Sequence, residues 1–281
     1  MRLLFAIAHY YHHEPGRKYG SMQADPTPRI IALAQAITML HANSGSKSAV
    51  FAWDHAEPAP LQQAYTVDVA IVTHPARHVL ASLPVPRASY MHVISEDDPA
   101  YLPWACQRFL GSQVESYDGF GYLDDDQWFA DGTWLEKALA FVEAIGEDAV
   151  LQPQQFELDM TRPVPKMYIA GEKHAWQEDH TAQWQDRKDR QEVIFPYQGQ
   201  QVRCVRPSNP HAAFYFVTQA QMQHWRKQPS FGRDTDAYVS PRVSGATLSL
   251  MQTFRVYKPA WEWASFYEIQ HAYSRYLRKV S

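Results

Sequence analysis

Cysteine is scarce in this chain, with two in 281 residues, Cys106 and Cys204. They lie far apart and neither sits in a Cys-x-x-Cys or Cys/His spacing, so a zinc ribbon or a redox pair has nothing to build on. A reducing compartment suits such a chain, and a cytoplasmic location is expected. Long apolar runs are also missing: no stretch approaches the roughly 18–20 residues that cross a bilayer. The start, Met-Arg-Leu-Leu-Phe-Ala-Ile-Ala, looks like a signal start, but it runs at once into His9-Tyr10-Tyr11-His12-His13-Glu14 and reads as a buried first strand. Any membrane contact is therefore expected to be peripheral. Nor is there an excess of charge of one sign. The 26 Lys+Arg against 30 Asp+Glu give a net charge of −4, which exerts no global pull on nucleic acid. There is no internal repeat, heptad seam or clear linker, so one domain over 1–281 is expected.

What is present is an α/β pattern. Leu3 to Ala8 is nearly all apolar without alternation, as in a strand covered on both faces. Arg29 to His41 carries apolar residues at helical spacing, and Ser48 to Trp53 and Val67 to Thr73 read as the next strands of the sheet. Asp98 to Leu110 opens with Asp-Pro, a helix start. Within Tyr117 to Phe129, Phe120, Tyr122 and Leu123 suit a buried strand, and a helix over Thr133 to Ile145 follows. The second half reads as more irregular: strands at Lys166–Ala170 and Ala212–Thr218, a helix from Gln219 capped by Thr218, a loop over Arg233–Ser249, and a closing helix over Trp261–Leu277. His174 to Gln201, rich in Gln and charge with Trp176 and Trp184 interleaved, reads as an exposed insertion, a helix or a flap over a site.

The sharpest chemical feature is Asp124-Asp125-Asp126, directly after Phe120-Gly121-Tyr122-Leu123. A packed core would not accept three carboxylates without a cation. Alternation along a strand puts Asp124 and Asp126 on one side and Asp125 on the other. Two hard oxygen ligands together suit Mg²⁺ or Mn²⁺, which takes its remaining ligands from water and phosphate.

Tyr122-Leu123-Asp124-Asp125-Asp126 resembles the DxD motif of the GT-A nucleotide-sugar glycosyltransferases, in which an acidic motif ends a central strand of a Rossmann-like mixed sheet flanked by helices. The resemblance implies a nucleotide-sugar-binding half over 1–130 and an acceptor-side half over 131–281. It implies a sugar transferred from a nucleoside diphosphate sugar to a glycan or other hydroxyl acceptor, with manganese held by Asp124 and Asp126 and with Asp125 at the ribose or sugar. A late histidine joins the metal in some members, a role that would fall on His271. The class binds its nucleotide after the first strand, where His9 and Tyr10 stand. Asp97 and Asp98 are further candidates for the base or ribose, although Asp98 before Pro99 is also an ordinary helix start. An inverting enzyme needs a carboxylate base for the acceptor hydroxyl, and Asp234 and Asp236 lie in a late loop where the class often places one.

Two other readings fit the residues. The histidines at His9, His12, His13, His74 and His78 allow a metal-dependent hydrolase, though without His-Glu-x-x-His or a close His-x-His pair. A carbohydrate-binding or assembly protein could keep a transferase-like fold without turnover.

Overall fold

The computed structural model describes residues 1–16, 19–46, 48–59, 65–169 and 181–279. In chain order the elements are β1 (Arg2–His9), α1 (Thr27–Ser44), the hairpin β2 (Ala49–Ala52) and β3 (His55–Pro58), β4 (Thr66–Thr73), β5 (Met91–Ile94), α2 (Leu102–Ser112), β6 (Gly119–Asp124), β7 (Gln127–Trp128) and α3 (Trp134–Ile145). There follow β8 (Ala149–Leu151), β9 (Gln154–Leu158), β10 (Lys166–Tyr168), β11 (Glu192–Tyr197), β12 (Gln200–Val205), β13 (Phe214–Thr218), α4 (Gln219–Trp225), α5 (Pro241–Thr253), β14 (Arg255–Pro259) and β15 (Glu268–His271).

The central sheet has the order β13-β6-β1-β4-β5. Its four strands β6, β1, β4 and β5 are parallel, and β13 runs antiparallel at the β6 edge. The protein is thus α/β with a mixed sheet. Alternation along β1 explains why its sequence is apolar throughout. Leu3, Phe5 and Ile7 pack into one core with Leu33, Ile37 and Trp134. Leu4, Ala6 and Ala8 pack into a second core, on the other face, with Leu102, Cys106 and Trp225. Gly121 on β6 faces Phe5 on β1, and a side chain there would overlap the Phe5 ring.

Two four-stranded sheets, β10-β9-β15-β7 and β11-β12-β14-β8, make up much of the second half. That half is more regular than its sequence implies, and four expectations are corrected. Residues 49–52 form a strand, but in the separate β2–β3 hairpin and not in the central sheet. Of the insertion expected over 174–201, the part up to 180 lies outside the described residues. Its C-terminal end is not a helix or flap but the β11–β12 hairpin, with Phe195 and Val202 fully buried.

The loop expected over Arg233–Ser249 contains most of α5. Ser240 caps that helix and Pro241 begins it. Its serines and threonine look like loop residues yet find partners inside: Ser244 donates to the Tyr238 carbonyl, and the Trp225 indole donates to Ser249. Gly245 lacks the Cβ that would crowd Pro103, so α5 presses closely on α2. The closing helix expected over Trp261–Leu277 is a short 3₁₀ segment, Trp261–Phe266, followed by β15. There the backbone bonds to β9 on one side and β7 on the other, which outweighs the helical spacing. No helix among the described residues is long and apolar enough to cross a membrane.

Candidate functional site

The chain passes from β1 to β4 and β5 on one side of β1, then crosses to β6 on the other. Where the direction of winding reverses, the connections leave a crevice at the carboxyl ends of the strands, the usual ligand position in open α/β sheets. His9 ends β1 and Asp124 ends β6, so the histidine and the acidic triplet flank this crevice.

Asp125 is buried and points inward. His9 Nδ1 lies 2.6 Å from Asp125 Oδ2, and the buried Arg29 donates from Nη1 to Asp125 Oδ1 at 2.7 Å and to Asp126 Oδ2 at 3.0 Å. Burial pushes the Asp125 carboxyl up, but Arg29 and His9 outweigh it and hold the group below the ordinary carboxylate range. The Val79 amide donates to His9 Nε2 at 3.2 Å, which leaves Nδ1 to carry the proton toward Asp125.

Asp124 and Asp126 line one cavity of ≈250 Å³ together with His211 and His271, and Asp125 does not. Asp124 accepts a short hydrogen bond from the Tyr122 hydroxyl, and Arg242 Nη2 lies 3.4 Å from its second oxygen. Burial is the main force lifting the Asp124 carboxyl to about 6, opposed by Arg242 and reinforced by Asp126. His211 lies 2.9 Å from the Thr247 hydroxyl, and burial followed by the Lys258 and Arg242 charges lowers its pKa to about 3, so it is a neutral wall of the cavity.

His271 is brought beside the triplet by the pairing of β15 with β7, where it sits opposite Gln127. Its Nε2 is 3.8 Å from Asp126 Oδ2, and its Nδ1 is 3.1 Å from Oε1 of the fully buried Glu157. Burial opposes protonation of His271, yet Glu157 and Asp126 raise its pKa. A carboxylate on one ring nitrogen that turns the other toward a second carboxylate is how metal-bound histidines are commonly oriented. Among the described residues no three His, Cys, Asp or Glu side chains are placed to hold a metal ion together. A hard divalent cation does not require three, since one or two carboxylates, waters and substrate phosphates suffice. Asp124 and Asp126 on one cavity wall fit that partial set of one or two carboxylates, and His271 lies beside Asp126.

A larger cavity of ≈490 Å³ opens at the end of β1, lined by Ala8, Tyr10, Met22, Arg77, Asp98 and Leu102 among others. A third, of ≈450 Å³, lies toward the C-terminal segment. Tyr19 and Arg242 border all three cavities, which makes them the divide of one branched cleft.

The remaining sequence candidates divide. Tyr10 and Asp98 line the large cavity, and Asp98 also accepts from the Ala100 amide as the cap of the turn before α2. Asp97 and Asp234 are both held by Arg108, at 2.5 and 2.6 Å. Asp234 lines a separate cavity beside Trp104 and Trp184, while Asp236 is exposed and borders none of these cavities. Sequence reasoning missed Arg29, Glu157 and Arg242. A basic residue on the helical stripe from Arg29 to His41 was a visible trace of the first. Glu157 and Arg242 carry no local mark, because their partners come from strands and turns far along the chain. In comparisons with known proteins, no family model and no curated sequence matches the chain.

Proposed function

We propose that the chain is a metal-dependent glycosyltransferase of the GT-A type that moves a sugar from a nucleoside diphosphate sugar to a glycan or other hydroxyl acceptor. The observation that carries the reading is the position of the acidic triplet. It ends the strand next to β1 at the winding reversal, with two of its carboxylates on the wall of the cleft and the third turned inward. The strand order, with an antiparallel strand beyond β6, supports the GT-A assignment.

In this reading the nucleoside takes the ≈490 Å³ cavity with Tyr10, Arg77 and Asp98. Asp124 and Asp126, with His271, would hold Mn²⁺ or Mg²⁺, which when bound neutralises charge developing on the leaving diphosphate. Asp125 serves by holding Arg29 against Asp126, not by touching the sugar. Arg242 offers a second cation at the divide where the diphosphate would lie. Neither Asp234 nor Asp236 borders the cleft, so the acceptor's proton is not assigned to them. Two buried, unpaired cysteines suit a cytoplasmic setting.

Thermal unfolding with UDP and GDP, with and without Mn²⁺, tests the reading in the wild type and in Asp126→Ala. A metal-dependent rise with one nucleotide, absent in the variant and accompanied by turnover lowered on the order of 10²–10³-fold, is expected. Full wild-type stabilisation and turnover in Asp126→Ala would overturn the metal assignment, and nucleotide binding without any turnover would favour a binding protein on the same frame.

A further inference from the structure

Four arginines line the ≈450 Å³ cavity, on a chain whose net charge is −4. They are Arg29, Arg242, Arg275 and Arg278, and Asp126 is the one carboxylate that lines it among the described residues. The charges of Arg29 and Arg242 are met by the acidic triplet. Arg275 makes no ion pair among the described residues, and its guanidinium carbon is 6.0 Å from the Tyr276 ring centroid. Arg278 donates from Nε to the Ser274 hydroxyl at 3.3 Å. The cavity wall also includes Tyr19, Ser21 and Ser274.

The segment that carries these two arginines is held in place. Both oxygens of the buried Glu157 are engaged by it: Oε1 by the His271 ring at 3.1 Å, and Oε2 by the amides of Tyr276 at 2.8 Å and Leu277 at 2.9 Å. Leu277 is itself buried. With the backbone of this segment clamped, two guanidinium groups on the cavity wall would meet an anion with little backbone ordering left to do.

We propose that this cavity is the acceptor subsite and that it selects acceptors carrying an anionic group, a phosphate or a carboxylate. The assignment to the acceptor rests on the transferase reading given above. The nucleoside cavity and the arginine cavity meet at Arg242 and Tyr19, and Asp126 lines only the arginine side of that divide. A ligand among the arginines therefore approaches the reacting centre from the side opposite the nucleoside.

Titration calorimetry on the full chain, free and saturated with nucleotide and Mn²⁺, tests this with inorganic phosphate, glucose 6-phosphate, glucuronate and neutral glucose as probes. Binding of at least one anionic probe to the saturated protein, with none by glucose, is expected, and the two sugar acids tell phosphate from carboxylate. Arg275→Ala/Arg278→Ala should weaken that binding about tenfold or more while changing nucleotide affinity less than about twofold. Both arginines are exposed, so the variant should unfold at the wild-type temperature. Absence of anion binding in either state would overturn the proposal. So would displacement of the anion by nucleotide together with lost nucleotide affinity in the variant, which would give the arginines to the donor diphosphate. Arginine-dependent anion binding in a protein that binds no nucleotide would keep the anion site and remove the donor reading instead.

Discussion

His9 and Asp125, 116 residues apart, meet at 2.6 Å across the gap between the first strand and the strand that carries the acidic triplet. With Arg29 on the other carboxylate oxygen, the three form a buried hydrogen-bonded knot around one Arg–Asp ion pair beneath the cleft. The central acid of the triplet is thereby spent on architecture, and it frees its two neighbours to face the cavity.

Asp125→Ala should therefore damage stability before chemistry. It leaves the Arg29 guanidinium buried with one carboxylate fewer, and removing one partner of such a pair typically costs about 3–5 kcal/mol. Urea unfolding measures the loss, and Asp125→Ala/Arg29→Met should recover part of it. A single-variant loss under about 1 kcal/mol would mean that the knot is not holding the strands.

Asp124 gives a pH signature. Its carboxyl is lifted to about 6 from an ordinary 3.8, chiefly by burial, so between those values the folded chain binds more protons than the unfolded one. By linkage its contribution makes the protein less stable as pH rises through that window. Asp124→Asn should flatten the slope. Metal-dependent nucleotide stabilisation should run the opposite way and fade as pH falls below about 6, because a ligand carboxylate must be ionised. Melting temperatures across pH 4–8 on both proteins would show this, and identical profiles would refute it.

Glu157 and His271 bracket a second window. Burial opposes both charges, yet each partner favours the other: the Glu157 carboxyl is held below its ordinary 4.5 and the His271 imidazole above its ordinary 6.5. The carboxylate contributes fully above its unfolded value and loses effect as pH falls through its depressed folded value. The imidazolium contributes fully below its unfolded value and loses effect as pH rises through its raised one. Glu157→Gln should then lower stability by about 1–3 kcal/mol, with the gap from wild type widest between pH 4.5 and 6.5. Chemical unfolding at several pH values decides it, and a gap that does not vary with pH would show that the ion pair is not the cause.

Gly121→Ala tests the sheet apart from any function. The added methyl would overlap the Phe5 ring on the neighbouring strand, and overpacking of this kind costs about 1–3 kcal/mol. An unaltered unfolding midpoint would contradict the β1–β6 register.

Local pattern revealed the elements whose reasons are local. The apolar run Leu3–Ala8, the stripe beginning at Arg29 and the Thr218 cap all appear in the structure as read, the last as a capping box with Gln221. Pattern failed where a neighbour overrides it. The segment after Arg233 looked like a loop because Gly245 and its serines are loop residues when exposed. Here the glycine makes room for α2, and the serines bond inside. The stretch from Trp261 has helical spacing, yet its C-terminal end completes a sheet between β9 and β7.

By itself the sequence determined the α/β alternation and the buried strand that runs into the acidic triplet, through the apolar residues that precede it. Asp125 and Asp126 lie past the end of β6, in the turn to β7, so it is the turn and its long-range partners that set which carboxylate points inward. The tertiary structure alone decided which cations meet those carboxylates. Arg29, Arg242 and His271 reach the triplet from separate elements, and a long-range ion pair leaves no periodic trace in the chain that forms it.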